Sequence, residues 1–193
     1  MAKVKWKGGA LTAPVPPCMV SCGRGDTANI ITVAWTGIIN TVPPKTYISV
    51  RPTRHSYGLI KESGEFCVNL TSASLVKAAD FCGIYTGKKV DKYARCGLTK
   101  EDATVLSCPI IGESPLSLEC RVTDIIELGS HHMFLADIVA VDVDESLIDN
   151  EGKLRLDRAD LVAFAHGEYF ELGKKIGTFG FSAKKKKKKA QHR

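Results

Sequence analysis

The feature that most constrains this chain is a series of short segments rich in β-branched and aromatic residues: 18–23 (CMVSCG), 29–35 (NIITVAW), 45–50 (KTYISV) and 65–70 (EFCVNL). Gly, Pro and Asn separate them, as turns separate strands. Further on, Leu116, Leu118, Cys120 and Val122 alternate with polar neighbours and predict a half-buried strand. Residues 133–143 are apolar on nearly both faces and predict an almost wholly buried one. Gly129-Ser130 between them suits a tight hairpin turn, so the two should pair antiparallel.

Two helices interrupt this pattern. The first is expected over 53–63, capped by Thr53 and ended by Gly64. The second should start at Thr71 or Ser72, place Leu75, Ala78, Ala79 and Cys82 on one face, and stop at Gly83. Residues 83–104 read as mostly loop, of a length that is usually functional. Strands outnumber helices and follow one another closely, which favours an antiparallel barrel with helical insertions over a doubly wound sheet.

At 193 residues the chain suits one domain, and its 44% hydrophobic and 25% charged residues match a globular protein. The formal charge of +6 comes from six consecutive lysines, 184–189; without them the 27 basic residues fall to 21, equal to the 21 acidic ones. A neutral body, 1–182, with a disordered lysine-rich tail, 183–193, is therefore expected. Seven scattered cysteines form neither a disulfide framework nor paired zinc ligands, and Cys67 and Cys120 sit inside apolar runs. Reduced thiols, together with the absence of an apolar run of signal or membrane-span length, predict a cytoplasmic protein.

Several motifs fail on context. Gly23-Arg24-Gly25-Asp26-Thr27-Ala28 fits a loose dinucleotide fingerprint, but a strand follows it where that fingerprint needs a helix, so a hairpin turn is expected. His55, His131, His132, His166 and His192 lack metal-ligand spacing, and no metal site is predicted.

Arg51-Pro52-Thr53-Arg54-His55-Ser56 concentrates cations and hydroxyls at an expected helix start. Free N–H groups, the positive end of the helix dipole and arginine forks suit a phosphate. By itself the segment reads equally well as a basic turn whose Thr53 caps the helix. The strand 29–35, which contains Asn29, Ile30, Thr32, Ala34 and Trp35, could support a flat ring system or be an ordinary core strand with Trp35 inside.

Taken in order, these pieces resemble the flavin-reductase-like, FMN-binding split-barrel family, especially its flavoredoxin-type members, over most of residues 10–182. The resemblance rests on Pro14-Val15, on Asn29-x-x-Thr32-x-Ala34-Trp35, on Pro43-Pro44 and on the Arg51–Ser56 segment. It continues through Gly64-Glu65-Phe66-Cys67-Val68-Asn69-Leu70, Val90-Asp91-Lys92-Tyr93, Gly129-Ser130-His131 leading to Phe134, and the closing Tyr169, Leu172-Gly173 and Gly177-Thr178-Phe179-Gly180.

The resemblance implies a mainly β antiparallel split barrel with inserted helices and a homodimer. It also implies an FMN with its phosphate near Arg51 and Ser56, its ring along 29–35 close to the partner subunit, and a covering loop around Lys92 and Tyr93. Ala136, Asp137 and Ser130 depart from the family's usual residues on the nicotinamide side.

The function expected is electron transfer from NADH or NADPH through the flavin to an acceptor, with His131 as the candidate contact for nicotinamide or acceptor and no protein nucleophile required. A flavoredoxin-like protein fed by a redox partner is the alternative. Nucleic-acid binding through the lysine tail is a reading of another class.

Overall fold

The computed structural model describes residues 1–183; the rest of the expected lysine tail lies outside the described residues. In chain order the strands are β1 (Cys18–Cys22), β2 (Asn29–Val33), β3 (Thr36–Thr41), β4 (Pro44–Val50), β5 (Glu65–Asn69), β6 (Lys100–Glu101), β7 (Ile110–Ile111), β8 (Leu116–Glu127), β9 (His132–Val143), β10 (Val162–Ala165) and β11 (Glu168–Glu171). Three α-helices join them: α1 (His55–Ser63), α2 (Val76–Ile84) and α3 (Lys92–Cys96).

Seven strands form one antiparallel sheet in the order β2-β1-β5-β8-β9-β4-β3. The sheet curls into a half-barrel, and the β3–β4 ladder continues beyond Thr36 through Ser49 N–H, which donates to Trp35 O at 2.9 Å. This is a split β-barrel with helices inserted between β4 and β8, as the sequence predicts. Phe66, Phe134, Ile48, Ile60, Val20 and Val50 fill its interior. A second core, built from Met19, Ile30, Ala79, Cys82 and Tyr93, glues α2 and α3 to the outer side of β1 and β2.

The 23–28 segment is the expected hairpin turn, pairing Cys22 with Asn29. A Cβ at Gly23 (φ 71°) would lie 2.5 Å from Thr27 O, so glycine alone fits there. Gly64 ends α1 in the left-handed conformation, also as expected. All seven cysteines are free thiols.

Other expectations need correction. Thr53 does not cap α1: Arg54 N–H bonds to Arg51 O, which turns Pro52-Thr53 into the middle of a β-turn, and the helix starts at His55 behind an Arg54 cap position with no side-chain cap. The second helix begins as a 3₁₀ turn at Ala73–Leu75 and runs past Gly83 to Ile84. The 83–104 segment holds the short helix α3, capped by Asp91, and not loop alone.

Residues 29–35 are not one strand. β2 stops at Val33, Ala34-Trp35 form a bend, and Trp35 stays 39% exposed, out of the core. The sequence reading missed β3, whose Gly, Asn and Thr content hides the pattern. In β9 only Phe134 and Ala136 are buried, because one chain leaves the strand's outer face uncovered. Conversely, two of the polar neighbours in β8, Ser117 and Glu119, are buried while Arg121 stays exposed: the 103–111 segment covers the buried pair, Glu119 accepts the backbone N–H groups of Thr104, Val105 and Leu106, and Ser117 donates to Asn69 Oδ1 at 2.8 Å.

Candidate functional site

Two cavities of about 190 Å³ each lie end to end along β2 and share Ile31 and Arg54. The first opens at the N-terminus of α1 and is lined by Asn29, Thr53, Arg54, His55, Ser56 and Lys92, with Tyr85, Thr86 and Gly87 as its outer wall. The second is lined by the 31–35 stretch, Ser49, Val50, Arg51, Gly83 and His131. No carboxylate lines either of them.

The first cavity is built to meet an anion. Its helix N-terminus lacks a side-chain cap; Tyr57 N–H donates to Arg54 O at 3.0 Å, which leaves the His55 and Ser56 N–H groups for a ligand. Ser56, 1% exposed, accepts from Asn29 Nδ2 at 2.8 Å, which leaves its own proton available as a donor. Lys92 is buried, yet its Nζ donates to only two acceptors, Ile30 O at 2.6 Å and Cys82 O at 2.8 Å; one N–H remains for the cavity it lines.

Burial pulls the Lys92 ammonium down to about 8, with Arg54 adding repulsion against its neighbouring thiols' opposite pull. Burial, then Lys88 and Lys92, lower the pKa of His55. The field is positive and lacks a local counter-charge, the condition under which a phosphate gains most.

Gly87 closes this end. A Cβ there would fall 2.1 Å from Asn29 Oδ1, so the backbone presses against the amide that orients Ser56. Arg54 reaches the other way, its Nη2 donating to Gly83 O at the C-terminal end of α2, and so stands between the two cavities.

The second cavity is more open, and Val33, Ala34, Trp35 and Val50 stand on its wall. Thr32 spends its hydroxyl on Ala79 O, so only its backbone is free to meet a ligand. At Gly83 α2 packs on β2 beside Thr32, where an added Cβ would stand in ordinary van der Waals contact with Thr32 Cβ at 3.4 Å. His131 sits at the turn before β9 with Nδ1 3.0 Å from Ser130 Oγ. Burial and the nearby Arg51 lower its pKa, which favours the neutral ring at pH 7.

Of the residues singled out from sequence, Asn29, Thr53, Arg54, His55, Ser56 and Lys92 therefore converge on one cavity, and Thr32, Ala34, Trp35, Arg51 and His131 on the other. Arg51 and Ser56, expected to act together, are separated by the β-turn at Pro52-Thr53. Two residues lie elsewhere. Ile30 and Tyr93 point into the second core, fully or nearly fully buried, because side chains along β2 alternate and α3 inserts its aromatic residue beneath α2. Lys92 itself lines the cavity from a buried position, while Tyr93 does not reach it.

Sequence reasoning missed Tyr85, Thr86 and Gly87; the polar turn after an apolar helix was the available signal. Of the departures from the family pattern, Ala136 lies in the core, while Asp137 pairs with Lys45 across β4 and β9. Among the described residues no cluster of metal-ligating side chains occurs.

Residues 11–173 match the family model described as the flavin reductase like domain, and the chain belongs to that family. Its fold superposes on a flavoredoxin of Desulfovibrio vulgaris (Miyazaki F) with a TM-score of 0.87 and 32% identity, covering 95% of this chain and 100% of that one. A flavoredoxin from Methanosarcina acetivorans gives 0.85 and 26%, covering 95% and 100%.

A relative in Aeropyrum pernix is 31% identical over 129 residues, 66% of this chain and 49% of the relative. The chain thus spans about half the length of that protein and 64% of a further relative in Archaeoglobus fulgidus. The Escherichia coli FMN reductase (NADH) RutF is 23% identical over 103 residues, 53% of this chain and 60% of RutF.

Proposed function

We propose that this chain holds FMN along β2 and uses it as an oxidoreductase, drawing electrons from NADH or NADPH and passing them to an acceptor. One observation carries the reading: a carboxylate-free cavity at an uncapped helix N-terminus, with a buried serine hydroxyl and a buried ammonium each keeping a donor unspent. In that reading Arg54, Ser56, Lys92 and the first turn of α1 bind the phosphate, with Thr53 and His55 at the rim and Asn29 holding Ser56 in its donating orientation. The backbone from Thr32 to Trp35 and the exposed face of Trp35 support the ring and exclude water from one side of it.

Bound FMN supplies the hydride and electron chemistry itself, so the chain needs no nucleophile. His131, held neutral, offers a hydrogen-bonding partner to nicotinamide or acceptor at the ring end. The relationship to an FMN reductase (NADH) supports the nicotinamide donor, and a neighbouring FMN-binding protein from Thermus thermophilus supports the choice of cofactor.

The test is the visible absorption spectrum of the purified chain before and after adding FMN. A flavin band that survives gel filtration is expected; a colourless protein that takes up no FMN would overturn the reading. A homodimer in the cytoplasm belongs to the same proposal. Ile38 and Val42, 62% and 87% exposed on and beside the edge strand β3, are apolar surface that a second copy would cover. Light scattering giving one chain's mass of 20.9 kDa would refute the dimer.

A second reading has its own support, since the flavoredoxins share more identity with this chain than RutF does. In it the donor is a redox protein. Anaerobic mixing with NADH and with NADPH separates the two: rapid bleaching of bound flavin supports the reductase, and its absence supports the flavoredoxin-like role.

A further inference from the structure

No thiol lines either cavity, yet two of the seven thiols touch each other. Cys67 on β5 points away from the barrel interior, since its neighbours Phe66 and Val68 point into it. The 103–111 segment covers it on that outer side and brings Cys108 against it, Sγ to Sγ at 3.3 Å, with both side chains buried beside Leu106 and Ile110. Closing that gap by roughly 1.2 Å reaches the bonding distance of a disulfide, about 2.05 Å.

The cover is held in a way that lets it open. Among the described residues, 103–109 take part in no backbone–backbone hydrogen bond. Two carboxylates hold the segment instead: Glu119 takes the N–H groups of Thr104, Val105 and Leu106, and Glu65 takes the Ser107 N–H at 3.0 Å and its hydroxyl at 2.8 Å. A segment held by side chains opens at a lower free energy than the strands beneath it. While it is closed, the hydrogen bond to Cys108 and burial push the Cys67 thiol up and keep it inert. Opening brings both thiols to water together.

We propose that Cys67 and Cys108 are an oxidation site for peroxides, at which the two thiols become one disulfide. In the open segment the Cys108 thiolate attacks one oxygen of hydrogen peroxide; the O–O bond breaks, leaving a sulfenic acid and one water. On closure the Cys67 sulfur attacks the Cys108 sulfur, the S–O bond breaks and a second water leaves. The peroxide accepts two electrons, and both thiol hydrogens end in water. The bridge closes residues 67–108 into a ring that contains α2, α3, Gly83, Gly87 and Lys92, so oxidation clamps the insertion that walls the groove, whatever the groove binds.

The test is to treat the folded full chain with a small excess of hydrogen peroxide, alkylate the remaining thiols, digest and map the peptides by mass spectrometry. Trypsin combined with a glutamyl endopeptidase separates Cys108 from Cys120 after Glu113. Cys96, the one cysteine that is not buried, reacts on its own account, so the experiment is repeated in Cys96→Ser. The expected results are a Cys67–Cys108 cross-link in both proteins and a rise in melting temperature of about 5–15 °C that a reductant reverses.

Glu65→Gln, which loosens the hold on Ser107, should form the bridge about two to ten times faster. Cys108→Ala should abolish both the cross-link and the rise; where that variant does not fold, the peptide map of Cys96→Ser decides alone. Cys67 and Cys108 left alkylatable, a bridge from Cys67 to Cys120, or a bridge that forms only in urea would overturn the site. A bridge that leaves the melting temperature unchanged would overturn the clamp, and an unchanged rate in Glu65→Gln would overturn the opening step.

Discussion

In the proposed site Lys92 is expected to make FMN binding proton-linked, with a predictable sign. Its pKa stands at about 8 in the free site because burial disfavours the charged form, and the ammonium is the form a phosphate attracts. Affinity is therefore full below about 8 and falls as the pH rises through that value. At pH 7 roughly nine tenths of the molecules carry the charge, and at pH 9 roughly one tenth. Binding at pH 9 must then bring a proton onto Lys92, which weakens FMN about tenfold relative to pH 7, or about 1.4 kcal/mol.

Cys96 is a further thiol beside Lys92, so the titration is run in Cys96→Ser as well; the other neighbours do not mimic the effect. Arg54 stays charged, His55 has its pKa lowered and is already neutral, and burial pushes Cys22 and Cys82 up to about 12. A phosphate monoester completes its ionisation near pH 6. The assay is a fluorescence titration of FMN at several pH values from 7 to 9.5 and constant ionic strength.

Lys92→Met, checked for folding by thermal melting, is expected to bind FMN about tenfold more weakly at pH 7 and to lose the slope. A flat profile in the unmodified chain, or an equal slope in the methionine variant, would refute the reasoning.

Further outcomes follow from single contacts. Gly87→Ala places a methyl group against Asn29, displaces the amide from Ser56 and should weaken FMN by about 1–2 kcal/mol in the same titration, with the melting temperature less affected. Glu119→Gln puts an amide donor where three backbone N–H groups converge and should lower stability by about 1–3 kcal/mol in urea unfolding; an unchanged midpoint would show that the 103–111 segment is held by its apolar contacts alone. His131→Ala is expected to slow reduction of bound flavin by NADH or NADPH without releasing FMN, and unchanged stopped-flow kinetics would remove it from the ring end.

The sequence by itself determined the fold class. Period-two segments separated by Gly, Pro and Asn can bury their apolar faces only by pairing as strands, and the closeness of the segments makes the pairing antiparallel. It also determined that cations and hydroxyls gather at the start of α1, since Arg51 to Ser56 are consecutive.

Only the tertiary structure decided how that segment divides. The turn through Pro52-Thr53 sends Arg51 to the ring end and Ser56 to the anion end, a consequence of one backbone hydrogen bond between Arg51 and Arg54. It decided the roles of Lys92 and Tyr93 in the same way: neighbours in α3, one turned to the cavity and the other to the core, separated by the helix's rotation of about 100° per residue. Gly87 and Glu119 take their meaning from chain segments 58 and 15 residues away, Asn29 and Thr104, and local pattern carries no record of which distant backbone will lie against it.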